Sequence, residues 1–133
     1  MTRTIDMLNS HPGGPGPIDP TVLAECIDAC LECAQTCTTC ADACLGEDMV
    51  ADLRDCIRTD LDCAEVCAAT ATVLSRPAAA NEVTRAIVDA CRVACGACAG
   101  ECERHASMHE HCAVCAEACR RCEAACAAVL AAF

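Results

Sequence analysis

The sequence predicts an all-α protein, an antiparallel up-down-up-down four-helix bundle with a short N-terminal extension. Cysteine and aliphatic residues recur at steps of three and four in four long segments, which is the spacing of one helix face. Capping or helix-breaking residues bound these segments, and short connections favour antiparallel neighbours. A chain of 133 residues fits one domain. We expect residues 1–18 to form the extension and a Gly/Pro-rich linker, and residues 19–133 to form the bundle.

The first bundle helix is predicted to follow the glycine and proline residues at positions 13–17. Asp19 and Pro20 are typical of an N-cap followed by proline at the first helical position. Gly46, directly after Leu45, is typical of a helix C-terminus. The first helix is therefore expected to span Pro20 to Leu45.

The other three bundle helices are predicted from similar boundary signals. Asp48 can cap a second helix that reaches about Leu74. Asn81 can cap a third helix that ends near Arg104. Ser107 and Glu110 have the spacing of a capping box, which predicts the start of the fourth helix at this point.

Cysteine marks one face of each of the four predicted helices. In the first helix, the steps between successive cysteines alternate between four and three residues, which is the a/d seam of a heptad pattern. Polar residues occupy the opposite face, so we expect the seam to point into the bundle. Grouped by predicted helix, the eighteen cysteines are Cys26, Cys30, Cys33, Cys37, Cys40 and Cys44; Cys56, Cys63 and Cys67; Cys91, Cys95, Cys98 and Cys102; and Cys112, Cys115, Cys119, Cys122 and Cys126.

Core packing alone does not account for so many cysteines. A buried thiol does pack as a small apolar group, and Leu, Ile, Val and Phe make up only 23 of the 133 residues. Leucine and valine would nevertheless fill the same volume better than eighteen thiols in four registers. Cysteine at this density is typical of a disulfide scaffold or a metal site.

The N-terminal residues and the net charge narrow the function classes. The first residues contain no apolar signal region, so we expect a cytoplasmic protein whose thiols stay reduced. Reduced thiols favour metal or redox chemistry over disulfides. No run of residues predicts a transmembrane helix, and the formal net charge of -11 disfavours nucleic acid and anionic membranes as partners.

Pairs of cysteines four residues apart favour copper(I) as the metal. Residues at this spacing on a helix have Cβ atoms about 5 to 6 Å apart, so two sulfur atoms can converge on one ion. Cys33 with Cys37 is one example, and only Cys56 and Cys112 have no such partner. Soft thiolates select copper(I), which does not require the four ligands of a structural zinc site. The sequence therefore predicts multiple copper(I) ions per chain.

Three other classes of thiol protein fit the sequence less well. A zinc or cadmium thiolate buffer needs four sulfur atoms per site, which only neighbouring helices could supply, and this alternative stays open. A ferredoxin-type iron-sulfur electron carrier has a cysteine followed by proline, a dipeptide that the sequence lacks. A thiol oxidoreductase needs a CxxC beside a βαβ pattern, and the sequence contains no strand-like stretch. We expect storage of metal and no enzyme activity.

Asp60 and Met108 accompany the two cysteines that lack a partner. Asp60 lies four residues after Cys56 on the same predicted seam, and Met108 lies four residues before Cys112. The thioether of Met108 is a further soft ligand. We expect Asp60 to be a weak oxygen ligand or a proton acceptor, or else to contact an arginine or solvent, because a buried carboxylate needs a partner.

The two ends of the predicted bundle differ in chemistry. The end that we call the histidine end gathers exchangeable ligands, and we expect copper to enter there. Its residues are Met49, His105, Met108, His109 and His111. The opposite end, which we call the apolar end, is expected to be closed. Its residues are Val22, Leu23, Leu74, Val83, Ile87, Val129, Leu130 and Phe133.

From Pro20 to Phe133 the chain resembles the bacterial copper storage proteins of the cytosolic class. The resemblance rests on four helices with repeated CxxxC spacing in one heptad register, an end that carries His and Met, and no export signal. It implies a homotetramer of four-helix bundles that each hold many copper(I) ions along the bundle axis. It gives the eighteen cysteines the role of ligands, and extends that role to His105, Met108, His109 and His111. A copper chaperone or a low-molecular-weight chelator is the partner that such a store implies.

Overall fold

The structure, a computed structural model, describes residues 2–77 and 80–133, and α-helices make up most of them. Within these ranges there is no strand, and no helix has both the length and the apolarity that crossing a membrane requires. The helices are α1 (Thr4–Ser10), α2 (Pro20–Leu45), α3 (Arg54–Leu74), α4 (Glu82–His105) and α5 (Glu110–Leu130), with a 3-10 turn at Val50–Leu53. The predicted all-α fold class is confirmed.

Helices α2 to α5 form an up-down-up-down bundle. α2 packs against α3 and α5, and α4 packs against the same two helices. Across the diagonal, the Sγ atoms of Cys30 and Cys91 are 3.8 Å apart, and those of Cys37 and Cys98 are 3.9 Å apart. α2 and α4 therefore run in the same direction, and α3, which connects them, runs in the opposite direction.

The helix boundaries that depend on local capping agree with the sequence. Asp19 Oδ1 accepts a hydrogen bond from the backbone N–H of Thr21 at 2.8 Å, and α2 ends directly before Gly46. Asn81 Oδ1 accepts from the backbone N–H of Val83 at 3.0 Å at the start of α4. Each cap satisfies an N–H group that has no partner within its own helix.

The second bundle helix begins later than predicted. α3 starts at Arg54, and the 3-10 turn Val50–Leu53 separates it from Asp48, which caps neither element. Leu53 is fully buried, so the core holds this residue in the tight turn that leads into α3. The predicted end of the helix at Leu74 is confirmed.

The start of α5 also differs from the prediction. His109 precedes its first turn and no side chain caps the helix, so the predicted capping box of Ser107 and Glu110 is wrong. The backbone N–H groups of Met108 and His109 both donate to the carbonyl of His105 at 3.0 Å. These bonds hold Ser107 in a turn that continues from α4, and α5 starts only at Glu110.

The N-terminal extension contains a helix that the sequence analysis did not predict. α1 packs against α2 and buries Leu8. Thr4 Oγ1 donates to Asp28 Oδ1 at 2.5 Å, and Thr2 Oγ1 donates to Asp28 Oδ2 at 2.9 Å. With seven residues, α1 is too short to be stable alone or to show a clear hydrophobic repeat. Its position therefore depends on these contacts with α2.

The Gly/Pro-rich linker lies against the connection between α3 and α4. Gly16 has a φ angle of 85°, in the region that favours glycine. A Cβ atom at this position would lie 2.1 Å from the carbonyl oxygen of Pro77, so any larger residue would displace the linker. Ile18 is buried and lines a small cleft with Leu23 and Leu74, which places the linker across the apolar end.

Buried aliphatic side chains close the apolar end. Val83 is 67% exposed and Phe133 is 43% exposed, so these two predicted members lie outside the core. Val88 takes the place of Val83 because the inward face of α4 passes through Val88 and Cys91. The fully or nearly fully buried aliphatic residues at this end are Leu23, Leu74, Val88 and Val129.

Candidate metal centre

Cysteine lines the inward faces of α2, α3, α4 and α5. All eighteen cysteines are free thiols, and each is at most 1% exposed. The heptad spacing explains this arrangement, because residues three or four apart return to the same side of a helix. The four seams point into the bundle as the sequence predicts.

The thiols contact each other both within a helix and between helices. Cys33 Sγ lies 3.7 Å from Cys37 Sγ in the same helix, and 3.7 and 3.8 Å from the Sγ atoms of Cys119 and Cys63. These distances exceed the roughly 2.05 Å of a disulfide bond, so the sulfur atoms are in van der Waals contact. The predicted pairs four residues apart are therefore present, and contacts between helices are equally close.

Groups of four donor atoms recur along the bundle axis. In each of the five groups given below, every donor atom lies within 4.8 Å of the other three, and three further groups of donor atoms meet the same distance limit. Neighbouring four-cysteine groups share members, since Cys33, Cys37, Cys119 and Cys122 each belong to two of them. The groups are Cys30, Cys91, Cys122 and Cys126; Cys33, Cys37, Cys63 and Cys119; Cys33, Cys67, Cys95 and Cys122; Cys37, Cys98, Cys115 and Cys119; and Cys40, Cys44, His111 and Cys112.

Sharing of sulfur atoms bears on the choice between zinc and copper. The four sulfur atoms that a zinc site needs do meet between the helices, which sequence spacing alone could not decide. A separate tetrahedral ion in one four-cysteine group would take sulfur atoms from the next group. Thiolates that bridge several copper(I) ions could use the shared atoms, so the continuous series of thiols favours clustered soft ions.

Burial keeps the thiols of Cys44 and Cys112 protonated. Burial raises the pKa of Cys44 to about 12, and it also raises the pKa of Cys112. Both thiols are therefore neutral at physiological pH. A metal that binds them as thiolates must displace their protons, so binding is coupled to proton release.

Asp60 lies inside the bundle among the thiols. Its side chain is fully buried, and Oδ1 accepts hydrogen bonds from Cys98 Sγ at 3.0 Å, Cys115 Sγ at 3.3 Å and Cys102 Sγ at 3.5 Å. Burial, followed by the bond with Cys98, raises the pKa of Asp60 to about 12. The carboxyl group is therefore neutral at pH 7 and contacts thiols, so the expectation of a contact with arginine or solvent is wrong.

At the histidine end, His109 and His111 share a carboxylate. Glu47 Oε2 lies 2.7 Å from Nδ1 of His109 and 3.0 Å from Nε2 of His111, and the two rings stack with their centroids 5.5 Å apart. Nδ1 of His111 faces inward, 3.5 Å from Cys40 Sγ and 3.6 Å from Cys112 Sγ. Burial acts to lower the pKa of His111, but hydrogen bonds with Cys40 and Glu47 raise it overall. His111 thus connects the thiols with a surface carboxylate.

The remaining predicted members of the histidine end are His105, Met108 and Met49. His105 Nε2 is 3.2 Å from Glu101 Oε1, one turn earlier in α4. Met108 is 61% exposed and lies in the turn before α5, so its four-residue spacing to Cys112 is not a helical spacing. Met49 is also exposed. The structure therefore brings together His109 and His111 and leaves both methionines at the surface.

Comparison with known proteins shows the family. The family profile described as Csp, copper storage protein, matches residues 19–131. The chain belongs to the copper storage protein family. A comparison with curated protein sequences gave no significant match.

Solved structures of copper storage proteins share the fold of this family member. The copper storage protein Ccsp from Streptomyces lividans, loaded with 10 copper equivalents, is 57% identical with a TM-score of 0.94, covering 98% of this chain and 99% of that chain. A cytosolic copper storage protein from Streptomyces lividans with five coppers is 62% identical with a TM-score of 0.81, covering 84% and 93%. The Cu(I)-bound copper storage protein BsCsp3 is 34% identical with a TM-score of 0.71, covering 79% and 94%.

Two carboxylates of the histidine end were missed by the sequence analysis. Glu47 follows the end of α2 and contacts His111 of α5, which is 64 residues later in the chain. No sequence spacing could indicate this pair. Glu101 lies four residues before His105 on α4, which is the spacing of an intrahelical pair and was a usable signal.

Proposed function

We propose that this member of the copper storage protein family stores copper(I) ions along the axis of its bundle, in the cytoplasm and without enzyme activity. The observation that carries the proposal is the continuous series of eighteen buried, free thiols whose four-donor groups share sulfur atoms. Solved relatives that are loaded with copper or bound to Cu(I) support the choice of metal. In this proposal residues 19–133 form the store, and residues 1–18 form an extension that packs on it.

The cysteines are the proposed thiolate ligands, from Cys26 at the apolar end to Cys112 at the histidine end. Each thiol that binds loses one proton, and each copper(I) ion restores one positive charge, so the interior stays neutral at one ion per cysteine. Asp60 is proposed as a weak oxygen ligand, because its carboxyl group contacts the thiols of Cys98, Cys102 and Cys115. Since this carboxyl group is already protonated at pH 7, the predicted role of proton acceptor is not part of the proposal.

The histidine end is the proposed route for copper. His111 is within 3.6 Å of two thiols, and His109 Nε2 is buried with no hydrogen-bond partner among residues 2–77 and 80–133. An imidazole with a free nitrogen can pass a soft ion to a neighbouring thiol. His105 and the exposed Met108 are proposed as further ligands that receive copper from a chaperone or a low-molecular-weight chelator.

Metal titration of the reduced protein tests the storage proposal. Metal-free protein would be titrated with copper(I) in the presence of a chromophoric competitor, and in parallel with Zn²⁺. We expect saturation near one copper(I) per cysteine, with release of about one proton for each ion bound. Saturation near a quarter of the cysteine number with both metals would instead indicate separate tetrahedral sites and a zinc or cadmium buffer. We also propose that the protein is a homotetramer, as the family resemblance implies, and sedimentation of the same samples tests this assembly.

A further inference from the structure

A groove on the side of the bundle, near the histidine end, brings solvent close to the thiol series. It has a volume of about 360 Å³ and lies between α2, which contributes Gln35, Thr36, Thr39 and Cys40, and α5, which contributes His111. Grooves of about 340, 380 and 430 Å³ elsewhere on the described residues are lined by no cysteine. Of these four grooves, the one between α2 and α5 therefore leads to a thiol.

Cys40 connects this groove with the interior of the bundle. Its side chain contacts Cys56 of α3, Cys102 of α4 and Cys115 of α5. On the outer side, Cys40 Sγ lies 3.5 Å from Nδ1 of His111, a residue that is partly exposed. A copper(I) ion that binds Cys40 can therefore move on to thiols of the other three bundle helices without leaving the protein.

The size of the groove favours a small molecule as the copper donor that uses it. A volume of about 360 Å³ lies at the lower end of the range of about 300 to 1,000 Å³ that is typical of sites for small ligands. Cys40 is 1% exposed, so a donor must lie in the groove to be next to this thiol when the helices separate slightly. Thiolate is a ligand that copper(I) prefers, so a small thiol is the donor that suits the groove.

The lining of the groove favours a donor with hydrogen-bonding groups and little negative charge. Gln35 Nε2 donates to Thr39 Oγ1 at 2.9 Å, which holds these two side chains beside each other. The amide of Gln35 and the hydroxyl groups of Thr36 and Thr39 can both donate and accept hydrogen bonds. The exposed carboxylate of Glu110 also lines the groove, and the chain has a formal net charge of -11, so anionic donors are repelled.

On the basis of the proposed storage function, we propose that this groove binds copper(I) complexes of small thiols that carry amide or hydroxyl groups, and that their copper passes to Cys40. In the exchange, the bond between copper and one donor sulfur breaks, and a bond between copper and Cys40 Sγ forms. The proton of the Cys40 thiol passes to the departing thiolate, which leaves as a neutral thiol, and copper stays in the +1 state. A donor held in the groove is already beside Cys40, so the exchange becomes a step within one complex.

Stopped-flow loading of the full-length, metal-free, reduced protein tests the groove. The donor is the copper(I) complex of N-acetylcysteine amide, which has two amide groups and no carboxylate. Because binding precedes exchange, we expect the loading rate to reach a plateau as the donor concentration rises. The copper(I) complex of N-acetylcysteine has nearly the same size but adds carboxylates, and at low salt it should load about tenfold more slowly.

Thr39→Trp fills the groove, and Thr38→Trp is its matched control. Thr38 is also an exposed threonine of α2, but it lies outside the groove lining, and its hydroxyl donates to the carbonyl of Ala34 at 2.7 Å. Thr39→Trp should lose the plateau and load about tenfold more slowly or less, while Thr38→Trp should load like the wild type.

Binding can also be measured without copper. The S-methyl derivative of N-acetylcysteine amide has no thiol to exchange, and it should shift the NMR signal of the Gln35 side-chain amide in the wild type and slow loading by competition.

Three results would overturn the proposal. These are a loading rate that rises in proportion to the donor concentration without a plateau, a Thr39→Trp variant that loads like Thr38→Trp, and an unchanged Gln35 signal in the presence of the S-methyl derivative. The NMR result uses wild-type protein, so it decides the matter even if Thr39→Trp does not fold. The final copper capacity, measured in the same loading experiment, tests the storage function separately.

Discussion

The apolar end and the histidine end lie on the same seams of cysteine but differ in how they meet solvent. At the apolar end, Leu74 and Val129 are buried, and the linker residue Ile18 lines a small cleft with Leu23 and Leu74. At the histidine end, Glu47 and His111 form a polar contact above the first thiols. The core side chains at one end offer no donor atom, and those at the other end offer imidazole nitrogen. Exchange of soft ions is therefore expected at one end only, and stability from burial is expected mainly at the other.

Leu74→Ala is expected to have the largest effect, and this effect is on stability. The Leu74 side chain is almost fully buried at the end of α3, so its truncation should lower the free energy of unfolding by about 2 to 5 kcal/mol. Denaturant unfolding of metal-free protein, followed by circular dichroism, measures the change. We expect the metal-free wild type to be helical under reducing conditions. A random-coil circular dichroism spectrum would contradict this expectation. Met108→Ala, at an exposed position of the other end, is the control with little expected change.

The next largest expected effect is the contribution of Asp60 to the pH dependence of the free energy of unfolding. Its folded-state pKa of about 12 lies above the ordinary value of 3.8, so the native protein keeps a proton that the unfolded chain releases. Stability should therefore fall as pH rises above about 4, by at most about 1.4 kcal/mol per pH unit from this group. Asp60→Asn removes the titration, and unfolding of metal-free protein between pH 4 and 7 should then depend less on pH. Parallel curves for the variant and the wild type would show that Asp60 is not the cause.

Replacement of the three histidines at the histidine end should change rates more than capacity. In the variant His105→Ala/His109→Ala/His111→Ala, we expect copper(I) loading and its removal by a chelator to slow about tenfold or more, because imidazole steps are lost. The final capacity should fall by only a few ions. Stopped-flow measurement with a chromophoric copper donor gives both quantities. If the variant loads as fast as the wild type, copper does not enter through these residues.

Removal of thiols in the middle of the bundle should give the opposite and smallest change. Cys33→Ala/Cys37→Ala removes two sulfur atoms that contact each other at 3.7 Å and lie away from both ends. The capacity should fall by about two ions, since each ion uses about one cysteine. The initial loading rate should stay close to that of the wild type. A slower initial rate would indicate that copper also enters between the helices.

Features of the fold that depend on neighbouring residues in the chain could be predicted from the sequence, whereas features that depend on tertiary contacts could not. The seams and the caps at Asp19 and Asn81 depend on residues within one or two turns, and both were predicted. The start of α3 depends on burial of Leu53, and the position of Glu47 depends on a histidine 64 residues away. Such tertiary contacts leave no periodic signal. For Asp60, the sequence predicts its position on the cysteine seam of α3. It does not predict the thiols of α4 and α5 that contact its carboxyl group.

Complete burial of the thiols makes their reactivity a measure of local opening. Alkylating reagents attack exposed thiolates, yet every cysteine of this chain is at most 1% exposed. A thiol can therefore react only when the helices around it separate for a moment, and its rate of alkylation reports the free energy of that separation. Mass spectrometry of partially alkylated protein would give the alkylation rate of each of the eighteen cysteines from one sample. Cys44 and Cys112, beside the histidine end, should be modified before Cys126, which lies beneath the apolar end.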